Sequence, residues 1–141
     1  MELSPAQIAF LTSQRTGHLA TVDESGQPHN VPVCFAVWRG RIYIAIDEKP
    51  KRGRPEDLRR VRNVRANPAV CLVIDRYDED WSRLAWMQVR GEASLVDDPV
   101  ERTGALTALR DRYPQYRAMA LEDRPLLGIT PTRVVQWQAL P

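Results

Sequence analysis

The sequence predicts a mainly β domain: six antiparallel strands closed into a small barrel, with three or four helices inserted before and between them. Three observations carry this reading. Short runs alternate at strand period, as with Val31, Val33, Phe35 and Val37, or Ile42, Ile44 and Ile46. Turn chemistry separates them, as at Asp23-Glu24-Ser25-Gly26 and Arg39-Gly40. Close strand spacing with short hairpins favours closure over an open sheet, because closure removes exposed edges. At 141 residues the chain is expected to form one domain over 1–141, long enough to bury a core without metals or disulfides.

The elements follow in order. Ser4 reads as an N-cap, with Pro5 at the first helical position and Gln7 completing a capping box, so a helix is expected over about 5–14 with Ile8 and Leu11 inward. Strands follow over 18–22, 30–38 and 41–46, joined by short turns as a meander; Pro32 argues for an edge or a bulge. The nearly continuous apolar run 69–74 reads as a strand buried on both sides. A polar loop over 75–83 carries Tyr77 and Trp81, and a long strand over 84–96 holds Gly91, which marks a bulge or bend. Asp98, Pro99 and Glu101 repeat the helix-start signal, for a helix to about Tyr113 with Val100, Leu106 and Leu109 inward. Pro114 stops it. A further short helical piece is expected within 115–127, and Pro131 precedes a last strand over 133–140.

Composition narrows the function. Net charge is only +2, so the chain is not a polycation suited to nucleic acid, and the RRVRNVR run has no interleaved aromatic to stack bases. No apolar run is long enough to span a bilayer. The N-terminal MELSPAQIAF lacks a basic segment followed by an apolar one, so a cytoplasmic location is expected. Cys34 and Cys71 lie singly in apolar runs and read as reduced, buried thiols. His18 and His29 are too isolated to suggest a metal site. There is no GxGxxG after a strand, no P-loop and no assembled Ser/His/Asp set. Hard chemistry, if any, then belongs to a cofactor.

What stands out is 47–68, DEKPKRGRPEDLRRVRNVRANP, with eight of the twenty basic residues between two predicted strands. Its first half is a loop carrying Lys49 and Lys51; its second is a helix beginning near Pro55. At 100° per residue Leu58, Val61 and Val64 share the face toward the sheet, while Arg59, Arg60 and Asn63 form an arc on the other side. An anion there would gain charge-assisted hydrogen bonds.

The ordered set GHLATVDESGQPHNVPVCFAV, IYIAID and LRRVRNVRANPAVCLVIDRYDEDW resembles the pyridoxamine 5′-phosphate oxidase-like split β-barrels of the FMN-binding type. KPK and DRYDEDW are similar to its deazaflavin (coenzyme F420)-dependent oxidoreductase branch. The resemblance implies that Arg59 and Arg60 bind the cofactor phosphate, with Asn63 on the same helix. It implies that Lys49 and Lys51 reach the phosphate or the acidic tail of F420. Pro32, Val33 and Cys34, with Ile44, Ala45, Ile46 and Asp47, would line the ring largely through backbone. It further implies a homodimer with two cofactor sites at the interface, Trp81 and Trp86 reaching each site from the second subunit. Arg60 stands where flavin members more often have Lys, and the longer KPKRGRP loop favours F420 over FMN. The implied activity is hydride transfer between reduced F420 and a small conjugated or quinone-like substrate. The alternatives are an FMN-dependent oxidase or reductase, or a non-catalytic protein that binds flavin, F420 or haem.

Overall fold

The computed structural model describes residues 1–47 and 53–138. Lys49 and Lys51 lie outside the described residues. In order, α1 is Pro5–Ser13, β1 Gly17–Val22, β2 Pro28–Val33, β3 Ala36–Trp38 and β4 Arg41–Ala45. After them come α2 Arg59–Ala66, β5 Ala69–Arg76, β6 Ala85–Leu95, α3 Pro99–Arg112 and β7 Leu126–Gln138. Short 3₁₀ turns stand at Pro55–Asp57, Trp81–Arg83 and Pro114–Ala118. Among the described residues no helix is long and apolar enough to cross a membrane.

The strands form one sheet in the order β2-β1-β5-β6-β7-β4-β3. It has seven strands, not six, because the predicted strand 30–38 is cut at Cys34 and Phe35. Its first half pairs with β1 and its second with β4, so the expected three-strand meander is two separate hairpins. β2 and β3 are the two ends of the sheet, yet two residues join them. The sheet must therefore curl until its edges meet at that corner, which makes it a split barrel. Pro32 sits in edge strand β2, where its missing N–H costs no ladder bond.

Local chemistry explains most element ends. Ser4 Oγ accepts from Gln7 N–H at 3.1 Å and Gln7 Oε1 accepts from Ser4 N–H at 2.8 Å, completing the capping box. Asp23 Oδ1 accepts from the N–H groups of Ser25 and Gln27 and shapes the first hairpin. Arg39 (φ 48°) and Gly40 (φ 79°) make the second hairpin turn. Asp98 caps α3 by accepting from Glu101 N–H at 2.9 Å. The register of β6 on β7 shifts between Arg90 and Gly91, where a Cβ on Gly91 would meet Thr130 O at 2.5 Å. Pro131 lies within β7, opposite Gly91 at that bulge. The strand thus begins well before the predicted residue 133, and residues 139–140 of the prediction fall outside the described set.

Two cores result. Inside the barrel, Leu19, Phe35, Ile42, Ile44, Leu72, Met87 and Ile129 pack with Leu11 of α1 and Val61 and Val64 of α2. Outside it, α3 and the 3₁₀ turn after it cover Ala36, Tyr43 and Ala45 through Leu106, Leu109, Tyr113 and Tyr116. The strand buried on both faces is therefore β4. β5, expected to be so, alternates instead. Val100 is exposed rather than inward. It stands nine residues from Leu109, which at 100° per residue is the opposite side of the helix.

Candidate functional site

α2 starts later than the sequence suggested. Pro55–Asp57 is a separate 3₁₀ turn, and Leu58 precedes the helix without a side-chain cap. Val61 and Val64 hold α2 over the barrel mouth. Asn63, also buried, donates Nδ2–H to Thr21 Oγ1 of β1 at 3.0 Å. These ties rotate the helix so that Arg59, Arg62 and Arg65 are exposed while Arg60 is turned inward at 6% exposure. The predicted outer arc of Arg59, Arg60 and Asn63 is thereby divided. The helix is covered on two sides, and only Arg59 of the three faces water.

Arg60 borders a cavity of about 250 Å³. The end of β2 and the corner supply Pro32, Val33 and Cys34; the end of β4 supplies Ile44, Ala45 and, just beyond, Asp47. Thr16 and Tyr116 complete it. Seven of the predicted residues, Pro32, Val33, Cys34, Ile44, Ala45, Asp47 and Arg60, thus line one cavity. Ile46 does not: it is fully buried in the barrel core. Trp81 is exposed on its 3₁₀ turn. Trp86 lines a different cavity on the outer face of the sheet, with His18, Cys71 and Asp75. Both cysteines are free and half-buried rather than buried.

Two neighbours fix Asp47 in the cavity wall. Tyr116 donates its hydroxyl to Asp47 Oδ2 at 2.6 Å, and Arg124 Nη1 donates to Asp47 O at 2.9 Å. Burial, then the Asp47 carboxylate, holds the Tyr116 phenol well above its ordinary range, so it stays a donor. His29 lies on the α2 side of β2, with Nδ1 buried and lacking a hydrogen-bond partner. Burial, followed by the charges of Arg60 and Arg59, pushes its pKa down. Sequence reading missed Thr16, His29 and Tyr116. The only local signal for Tyr116 is Pro114, which ends α3 and starts the 3₁₀ turn carrying it. Among the described residues no group of three or more His, Cys, Asp or Glu could hold a metal.

In chemical terms the site is a small cavity of mixed polar and apolar lining, with one nearly buried guanidinium and one oriented carboxylate in its wall. That suits a ligand with a flat body and an anionic arm.

Comparison with known proteins agrees with this fold. The chain is 40% identical over 138 residues to a 5a,11a-dehydrotetracycline/5a,11a-dehydrooxytetracycline reductase of Streptomyces rimosus, covering 97% of this chain and 84% of the relative. A conserved hypothetical protein of Mycobacterium tuberculosis superposes with a TM-score of 0.79 at 25% identity, over 97% of this chain and 86% of that one. An FAD-binding protein of Mesorhizobium loti superposes at 0.69 and 23% identity, over 95% and 94%. The match to the pyridoxamine 5′-phosphate oxidase family runs over residues 3–138, so the chain belongs to that family.

Proposed function

We propose that the protein is an oxidoreductase that uses reduced coenzyme F420 to reduce a conjugated or quinone-like substrate. The observation that carries this is the convergence of Arg60 with the strand ends around Pro32, Val33 and Ala45 on one cavity. The 40% identity to a dehydrotetracycline reductase supports the reductive direction and a conjugated acceptor.

The residues present fit such a cofactor. Arg60, held nearly buried by α2, offers a fixed charge to a phosphate. Pro32 has no N–H, and Val33 and Ala45 are apolar, so the wall between suits a flat ring system. When bound, the reduced deazaflavin supplies the hydride, which with one proton from solvent adds across the acceptor's conjugated double bond. Ile44 and Val33 keep the wall dry, and Tyr116 holds the Asp47 carboxylate in one orientation. Positioning is the protein's main contribution.

We retain the homodimer in this proposal. One chain's cavity is smaller than the usual ligand pocket of about 300–1,000 Å³. The outer sheet face presents Trp86 opposite Trp137, at 38% and 45% exposure, as a surface that a second copy would cover.

Titration with F420, followed by its fluorescence polarisation, tests the cofactor. Micromolar binding is expected. A purified protein that carries FMN, and ignores F420, would replace this reading with the flavin alternative. Oxidation of F420H2 against a panel of enones and quinones tests the chemistry; binding without turnover would leave a cofactor-binding protein.

A further inference from the structure

A second cavity, of about 520 Å³, adjoins the Arg60 cavity. The two share Thr16, Cys34, Asp47 and Tyr116, so one wall serves both. Their chemistry differs. Two arginines border the larger one, but each is committed to fixed acceptors. Arg15 Nη1 donates to Arg112 O at 2.8 Å. Arg112 donates to Thr12 O at 3.0 Å, to Gln14 O, and to the Tyr113 hydroxyl at 3.0 Å. The rest of that wall includes Pro114 and Met119, with Met119 partly exposed.

We infer that this larger cavity is the acceptor subsite, taking a flat multi-ring compound whose hydroxyl donors meet Asp47. The inference rests on the oxidoreductase reading above and assigns its second substrate a place. Three features argue for it. The volume lies within the usual ligand range of about 300–1,000 Å³, unlike that of its neighbour. Tyr116 and Met119 provide an aromatic and a polarisable surface for a conjugated body. The Asp47 carboxylate accepts one bond from Tyr116 and has lone pairs left for ligand donors. Hydrogen-bond chemistry thus separates the two ligands: the anionic arm goes to Arg60 and the donor-rich acceptor to the free lone pairs of Asp47. Tyr116 offers its ring to the ligand, while its hydroxyl acts on the ligand only through the carboxylate that it positions.

Methyl-labelled methionine tests this directly, because the chain has three methionines, and Met87 is fully buried in the barrel core. Tetracycline, a four-ring compound rich in donors, should shift the Met119 methyl resonance and leave that of Met87 in place. Met119→Trp should weaken tetracycline at least tenfold and leave F420 affinity within twofold. Asp47→Asn should weaken tetracycline but not menadione, which has no donors. Tyr116→Phe should raise KM for the acceptor more than it lowers kcat. The assignment is overturned if tetracycline fails to bind, if it binds without moving Met119, or if Met119→Trp weakens both ligands alike. Tetracycline binding at Met119 by a protein that ignores F420 would uphold the subsite and remove the cofactor reading instead.

Discussion

Arg112 and Arg60 border adjoining cavities that share Cys34 of the two-residue corner Cys34–Phe35, yet they are held differently. Arg112 donates to two carbonyls of the α1 end and to the Tyr113 hydroxyl, and its guanidinium lies 4.9 Å from the Phe35 ring centroid. Tyr113 in turn accepts from Phe35 N–H at 3.0 Å and donates to Arg15 O at 2.7 Å. This clamp ties α3, α1 and the corner together where the barrel edges meet. Arg60, less exposed still, stands outside this clamp, on α2 at the wall of the smaller cavity. Burial of a cation is thus no guide to its role; what lies at the end of the side chain is. The clamp should matter to folding and Arg60 to binding.

Removing the clamp should show the largest effect. Arg112→Ala deletes several charge-assisted bonds and is expected to cost about 3 kcal/mol, lowering Tm by roughly 10 °C. Tyr113→Phe leaves Phe35 N–H without its partner and should cost about 2 kcal/mol. Thermal unfolding measures both; a loss under about 1 kcal/mol would break the contrast. On the binding side, Arg60→Ala should weaken F420 about 100-fold, or about 2.7 kcal/mol, with Tm changed by less than about 3 °C. Arg60→Lys keeps the charge but not the fork and should recover part of the loss. Arg59→Ala, exposed and off the cavity, should change affinity less than twofold. Equal losses at Arg59 and Arg60 would restore the outer arc drawn from the helical wheel.

That wheel shows where sequence reading stops. The caps at Ser4 and Asp98, the Arg39-Gly40 turn and the Gly91 bulge were legible because each depends on residues within a few positions. The cut at Cys34–Phe35 was not, since a strand-period pattern continues unbroken while the hydrogen-bonding partner changes from β1 to β4. Pro131 read as a breaker because its bulge is made with a residue forty positions earlier. The basic stretch singled out α2, but only the fold shows that Arg60 turns inward and Asn63 bonds to Thr21. Tyr116 was invisible because its partner, Asp47, is 69 residues away.

Asn63 offers a smaller and cleaner test. It shares the helix face of Arg60, but its amide is occupied by Thr21. Asn63→Ala should therefore cost about 1–2 kcal/mol of stability and leave F420 affinity within about threefold. A large loss of affinity without loss of stability would move Asn63 from the scaffold to the binding site. Chemical denaturation and the polarisation titration together decide.

The smallest effect expected is at His29, which pairs across the ladder with Thr21 and so stands beside the same helix. Burial, then Arg60 and Arg59, depress its pKa. The folded protein therefore holds this imidazole neutral, while the unfolded chain takes a proton near pH 6.5. The resulting stability is present above that pH and is lost as pH falls through the folded pKa. His29→Gln should flatten the decline of Tm on the acid side, and an unchanged slope would show that another group carries it. An anion on Arg60 cancels part of the field that depresses His29, so binding should draw in a fraction of a proton. Calorimetry in buffers of different ionisation enthalpy would detect this as a buffer-dependent heat that His29→Gln removes. His18, beside Asp75 on the outer sheet face and outside the Arg60 cavity, provides the control: His18→Gln should leave that heat in place.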